Sequence, residues 1–181
     1  ILHHDLPHLA AAAPRFAALS EAPIDTLWLN PLAFPRNPYH HLVKHYHDGR
    51  LQSGHVNDPE KDARLVFEVL QNQIEAFAKL NTTTPDALTA YHFFATRLPR
   101  SGGFDALFTA VRGTSRPNKQ EAFDAVRRVL AGQVCLHRLE QTLSRMENLN
   151  RAWPLAYALS WISVAGGDSV MPPWVRMQFR E

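Results

Sequence analysis

A single cysteine, Cys135, in 181 residues excludes an internal disulfide and any cysteine-rich metal cluster. That usage suits a reducing compartment, and a cytoplasmic protein is expected. The chain also lacks a long uninterrupted apolar run and a basic leader at its start, so neither a transmembrane helix nor a signal peptide is read from it. No membrane partner is expected. Glycine is sparse, and Gly102-Gly103 and Gly166-Gly167 lack the lysine and strand context that a phosphate-cradling loop requires. Repeats, low-complexity tracts and a nucleophile triad are absent as well. A chain of this length still buries roughly two thirds of its unfolded surface, enough for a sizeable core.

Charge is small in sum and uneven in place. The formal net charge is +2, yet residues 1–85 carry 7 Lys+Arg against 9 Asp+Glu, whereas residues 86–181 carry 12 against 8. Nearly all of the second-half cations are arginine, which pairs bidentately with phosphate and stacks on bases. A nucleic-acid partner is allowed, although an ordinary solvated surface also accounts for an excess this mild.

The pattern is mainly helical. Asp5 to Leu19 reads as a helix with an Asp cap and Pro7 in its first turn. Ile24 to Leu29 is the best strand candidate, bounded by Pro23 and Asn30-Pro31, and the Pro31, Pro35, Pro38 series marks a loop before a short helix from Tyr39 to Tyr46. Asp58 to Leu80 is the clearest helix, capped by Asp58, opened by Pro59 and striped by Ala63, Val66, Leu70, Ile74 and Phe77. Asn81-Thr82-Thr83-Thr84-Pro85 reads as a linker dividing domain 1–81 from domain 82–181. Beyond it only helices are expected: Asp86–Arg97, Gly103–Val111, Asn118–Ala131 with an Asn118…Glu121 capping box, Val134–Met146 and Ala152–Val164.

Ten histidines raise a metal reading. His41 and His45 stand at i,i+4 with His40 and His47 nearby, but the interval holds no glutamate, and Lys44 competes as a cation. Surface or half-buried histidines are the simpler account. His92, His137 and Cys135 fall in apolar helical surroundings and are expected to be packed in the core. Asp5 and Asp62 each stand at a helix entrance, where carboxylates serve as caps or favour the helix dipole, and where two hard oxygen donors from separate elements can also converge on a divalent ion.

Taken in order, Asp5 in His3-His4-Asp5-Leu6-Pro7-His8-Leu9, Asp25-Thr26 in the short apolar segment, and Asp62 in Asn57-Asp58-Pro59-Glu60-Lys61-Asp62-Ala63 resemble the second half of a DnaQ-like, DEDD-type 3′–5′ exonuclease. The Asn30 to His40 run, the Asn57-Asp58-Pro59 approach and the stretch from Trp153 to Val175 look like the exonuclease-bearing N-terminal part of RecQ-like DNA helicases. The resemblance implies a remnant of an α/β ribonuclease-H-like domain followed by a helical connector. It implies Asp5 and Asp62 as catalytic, metal-holding residues for Mg²⁺ or Mn²⁺, the family's first two acids upstream of Ile1, a single-stranded DNA 3′ end as substrate, and ATP bound only by a motor domain outside this chain. The family's general base, a His or Tyr, would fall at Asn57 or Asp58, which leaves His55 as the nearest histidine for that role. The rival expectation is a catalytically inactive helical scaffold or nucleic-acid-docking module; a third is a histidine-rich metal-binding protein.

Overall fold

The structure, a computed structural model, describes residues 5–37, 59–98, 100–145 and 152–163. Eight α-helices occur among them: α1 (Asp5–Ala12), α2 (Thr26–Ala33), α3 (Pro59–Thr83), α4 (Pro85–Ala95), α5 (Gly102–Arg112), α6 (Lys119–Val129), α7 (Leu136–Ser144) and α8 (Ala152–Ser163), with a 3₁₀ helix, Pro14–Ser20, after α1. No strand occurs among the described residues, and the mainly helical expectation stands.

The segment Ile24 to Leu29, expected as a strand, is instead the approach to α2. Asp25 decides this, because its carboxylate accepts from the Leu27 backbone N–H at 2.9 Å and satisfies a donor that an N-terminus leaves open. The residues that become buried are Leu29 and Leu32, a spacing of three rather than two, while Leu27 and Trp28 face water. Pro31 lies inside this helix. Its carbonyl would ordinarily accept from residue 35, but Pro35 has no N–H, and the buried Ser160 hydroxyl donates to it instead at 3.1 Å. Gln73, fully buried on α3, donates to the Thr26 carbonyl at 2.9 Å and to Asn30 Oδ1 at 3.1 Å. Two remote helices therefore hold α2 by its polar backbone.

The opening helix is shorter than its pattern implied. Ala13 is extended and Pro14 starts a 3₁₀ helix, because a proline at that point cannot donate back into α1. At the other junction, Asn81, Thr82 and Thr83 are helical rather than linker, and Thr84 alone separates α3 from α4. The buried cluster runs across this junction, joining Leu29, Leu32, Phe77 and Leu80 to Ala87, Leu88, Phe94 and Phe108. On α3 the inward face is Gln73, Phe77 and Leu80; Ala63 and Ile74, expected in the apolar stripe, are exposed.

Helix α4 is the centre. It packs on α3, α5, α6 and α8, and Ala87, Leu88 and every residue from Ala90 to Ala95 are buried. Small residues at 87, 90 and 95 let neighbours approach, and Leu88, Tyr91, Phe93 and Phe94 fill the space between them. Helix α6 runs antiparallel beside it, since Arg128 near its end pairs with Asp86 near the start of α4, while Phe123 meets Phe93 edge-on at 6.0 Å. The Asn118 capping box forms as expected, with Glu121 N–H to Asn118 Oδ1 at 2.9 Å and Asn118 N–H to Glu121 Oε2 at 2.8 Å. Arg127 then ties α6 to α7 by a two-bond fork on Glu140, at 2.7 and 2.9 Å. Cys135 and His137, expected in the core, are exposed at the start of α7, whose buried face is Leu139 and Leu143.

The backbone of Ala22, Pro23 and Ile24 presses on the first turn of α5. A Cβ added at Gly103 would lie 2.5 Å from the Ala22 carbonyl oxygen and 2.6 Å from that of Pro23, whereas one at Gly102 would meet nothing closer than 3.6 Å. Gly102→Ala is therefore expected to be neutral or to raise stability by up to about 1 kcal/mol through helix propensity, and Gly103→Ala to lower it. Paired urea titrations with opposite shifts in midpoint check this. Tyr91 supplies a second test: its hydroxyl is buried beside Ser160, whose own proton goes to Pro31 and whose oxygen could only accept from the phenol, yet no hydrogen bond closes between them. Burial accordingly pushes the phenol upward from its ordinary pKa. Tyr91→Phe is expected to leave stability unchanged or to increase it, and a loss above about 1 kcal/mol in the same titration would show a partner for the hydroxyl.

Candidate functional site: an arginine-lined cavity beside a buried histidine

The residues marked out by sequence occupy the expected backbone positions in part. Asp5 is the first residue of α1, and Asp62 lies in the first turn of α3. Their side chains, and the whole of His55, lie outside the described residues, as do His41, His45 and the helix expected around them. Among the described residues, no three His, Cys, Asp or Glu side chains converge as a metal cluster would. Asp25, which stands between Asp5 and Asp62 in the motif order, serves as the cap of α2.

The best-formed polar constellation lies elsewhere, between α4, α5 and the start of α6. His92 is fully buried on α4, with its ring stacked on Phe108 at 5.7 Å. Asp105 and Arg112, two turns apart on the same face of α5, reach its two nitrogens: Asp105 Oδ1 lies 2.8 Å from Nε2, and Arg112 Nη1 lies 2.8 Å from Nδ1. Arginine only donates, so Nδ1 accepts and Nε2 carries the proton that Asp105 receives. One tautomer of a neutral ring completes the chain. Burial is the main force holding His92 below its ordinary pKa of 6.5; the hydrogen bond to Asp105 opposes it, and the charges of Arg112 and Arg116 reinforce it.

Arg112 continues outward to the Ser115 carbonyl at 3.1 Å and there lines a cavity of about 430 Å³. The remaining walls are Asp86 and Thr89 of α4, the loop from Thr114 to Pro117, and Glu121, Asp124 and Arg128 of α6. Gly113 makes this loop possible: it takes a left-handed φ of 69° and ends α5, while Pro117 is buried and anchors the far side. Three acids and three arginines share the lining, but most are already matched. Arg128 grips Asp86 at 2.8 and 2.9 Å, Asp124 accepts from Gln120 and from Arg127, and Glu121 closes its capping box. Gln120 and Arg127 hold the Asp124 carboxyl below the usual carboxylate range. A larger groove of about 700 Å³ runs along Leu32, Phe34, Pro35, Ala76 and Leu80, and its lining also includes Arg36, Asn37, Lys79 and Thr83.

Sequence reasoning placed His92 in the core and missed both Arg112 and Arg116. Their only signal was arginine flanking a Gly-Thr-Ser turn, which many surface loops share. Compared with family models, with curated proteins and with solved structures, the chain matches none. No helix among the described residues is long and apolar enough to cross a membrane.

The neutral ring gives a pH dependence with a definite sign. Because the folded pKa is lowered, the unfolded chain takes up the proton first as pH falls, so the contribution of neutral His92 is complete above about pH 6.5 and declines below it, toward the folded pKa. Glutamine at position 92 can still accept from Arg112 and donate to Asp105 without titrating. The wild-type unfolding midpoint is expected to drop between pH 7 and pH 5 more steeply than that of His92→Gln, and parallel slopes would contradict the assignment.

Proposed function

We propose that the chain is the exonuclease-like module of a DNA-processing enzyme, a metal-dependent 3′–5′ nuclease of the kind carried by RecQ-like helicases. Residues 1–81 are the back half of that module in this reading, and 82–181 the helical connector toward a motor domain. The observation that supports it is the placement of the two acids. Asp5 opens α1 and Asp62 falls in the first turn of α3, in the order and at the helix entrances that the motif resemblance requires. Two carboxylates are hard oxygen donors suited to Mg²⁺ or Mn²⁺, and upstream acids complete the set. Such ions supply an activated water and neutralise the departing oxygen of the phosphodiester. In this reading Asp5 and Asp62 supply two of the carboxylates, and the helix N-termini that carry them favour negative groups.

A second reading, a helical nucleic-acid-docking module without catalysis, draws support from Asp25, which caps a helix where the resemblance implies a strand. Activity separates the two. The isolated chain is expected to be nearly inactive, because two acids neutralise only part of the charge of two divalent ions. A parent restoring the upstream acids is expected to shorten 3′-terminal single-stranded DNA with Mg²⁺ or Mn²⁺. Asp62→Asn should abolish that activity while leaving the circular dichroism spectrum unchanged. A parent that binds DNA and never degrades it establishes the docking module.

A further inference from the structure

The nuclease reading makes no use of the cavity beside His92, yet this is where guanidinium donors without a hydrogen-bond partner among the described residues are held in place. Asp86 and Asp124 have arginine partners, and Glu121 bonds only a backbone N–H, so Arg112 and Arg116 face a single carboxylate between them. Arg112 has no carboxylate contact among the described residues: its Nη1 is committed to His92 and to the Ser115 carbonyl, and its Nε and Nη2 make no hydrogen bond there. Arg116 is exposed and makes no hydrogen bond or ion pair among the described residues. The hydroxyls of Thr114 and Ser115 in the same lining donate to no described partner. Burial costs Arg112 part of its hydration, the charge of Glu121 across the cavity offsets some of that cost, and the fork is fixed in direction by the histidine behind it.

We propose that this cavity binds a phosphate monoester, with Arg112 and Arg116 as its cationic partners and the Thr114 and Ser115 hydroxyls as further donors. The donor set decides the ligand class. Two guanidiniums and two hydroxyls offer more donors than a carboxylate can use, and they match the terminal oxygens and near-dianionic charge of a phosphate ester. Glu121, Asp86 and Asp124 at the walls disfavour further negative charge, so one phosphate rather than a polyphosphate chain fits. The volume, about 430 Å³, lies within the range of small-ligand sites, roughly 300–1,000 Å³, so a small phosphorylated molecule or a phosphorylated strand end is accommodated.

Calorimetric titration of the 181-residue chain at low salt tests the site with ribose 5-phosphate, ribose, acetate, and dT4 with and without a 5′-phosphate. Saturable binding of ribose 5-phosphate is expected, with none for ribose. Arg116→Ala should weaken it by roughly tenfold or more, since one charge-assisted hydrogen bond is lost from an exposed residue that supports no packing. Arg112→Lys keeps the charge and removes the fork; its binding should fall similarly, with circular dichroism verifying the fold. Binding of 5′-phosphorylated dT4 as tight as that of ribose 5-phosphate, with unphosphorylated dT4 inert, assigns the phosphate to a strand end. Absence of saturation, equal binding of ribose or acetate, or wild-type affinity in Arg116→Ala would overturn the proposal. None of these readouts depends on nuclease activity.

Discussion

The structure turns on a helix that is covered on nearly every side and yet carries a histidine. Along α4, burial of Ala87, Leu88 and everything from Ala90 to Ala95 means that His92 must find one donor and one acceptor from protein alone. Helix α5 offers both, because Asp105 and Arg112 are seven residues apart and fall on one face. Sliding or rotating α5 by one residue would separate at least one of these groups from the ring. A single imidazole therefore fixes the register of α5, and through Arg112 it also fixes the loop that leads into α6.

Much of the second half was legible because its local signals agree with its packing. Asn118…Glu121 announced the start of α6, and Gly113 and Gly132 stand just beyond helix ends with left-handed backbones. Signals failed where two roles compete for the same residue. Asp25-Thr26 followed by Leu27-Trp28-Leu29 has strand composition, but a side-chain cap to the Leu27 N–H overrides it. The α3 stripe was misjudged by part of a turn: Gln73, a polar residue, is completely buried because its amide serves the backbone of α2. Nothing in a single sequence advertises such long-range satisfaction of a carbonyl. The cavity was illegible for the same reason, since which arginines remain unmatched depends on which acids their neighbours use.

The link between the two ends of the described chain is also polar rather than purely hydrophobic. Tyr157 donates to the Trp28 carbonyl at 3.3 Å and Ser160 to that of Pro31, while Ala156 and Leu159 enter the same buried cluster as Leu29 and Leu32. Ser160 compensates for Pro35, which cannot donate to the Pro31 carbonyl, and Tyr157 adds a second bond to the same helix. Residues 129 positions apart in sequence are thus matched donor to acceptor, and closure of so long a loop adds little entropy cost beyond that of a moderately long one.

Encasement of α4 has a further consequence for how the molecule breathes. The amide hydrogens from Ala90 to Ala95 are expected to reach solvent only when the helices packed on α4 part from it, so their exchange should report global opening rather than local fraying. The helix that supplies Asp86 and Thr89 to the cavity wall then opens no more often than the whole fold does. The cavity's other wall from Gly113 to Pro117 is a short loop whose Thr114, Ser115 and Arg116 are exposed, so local opening beside the cavity belongs to this loop rather than to α4.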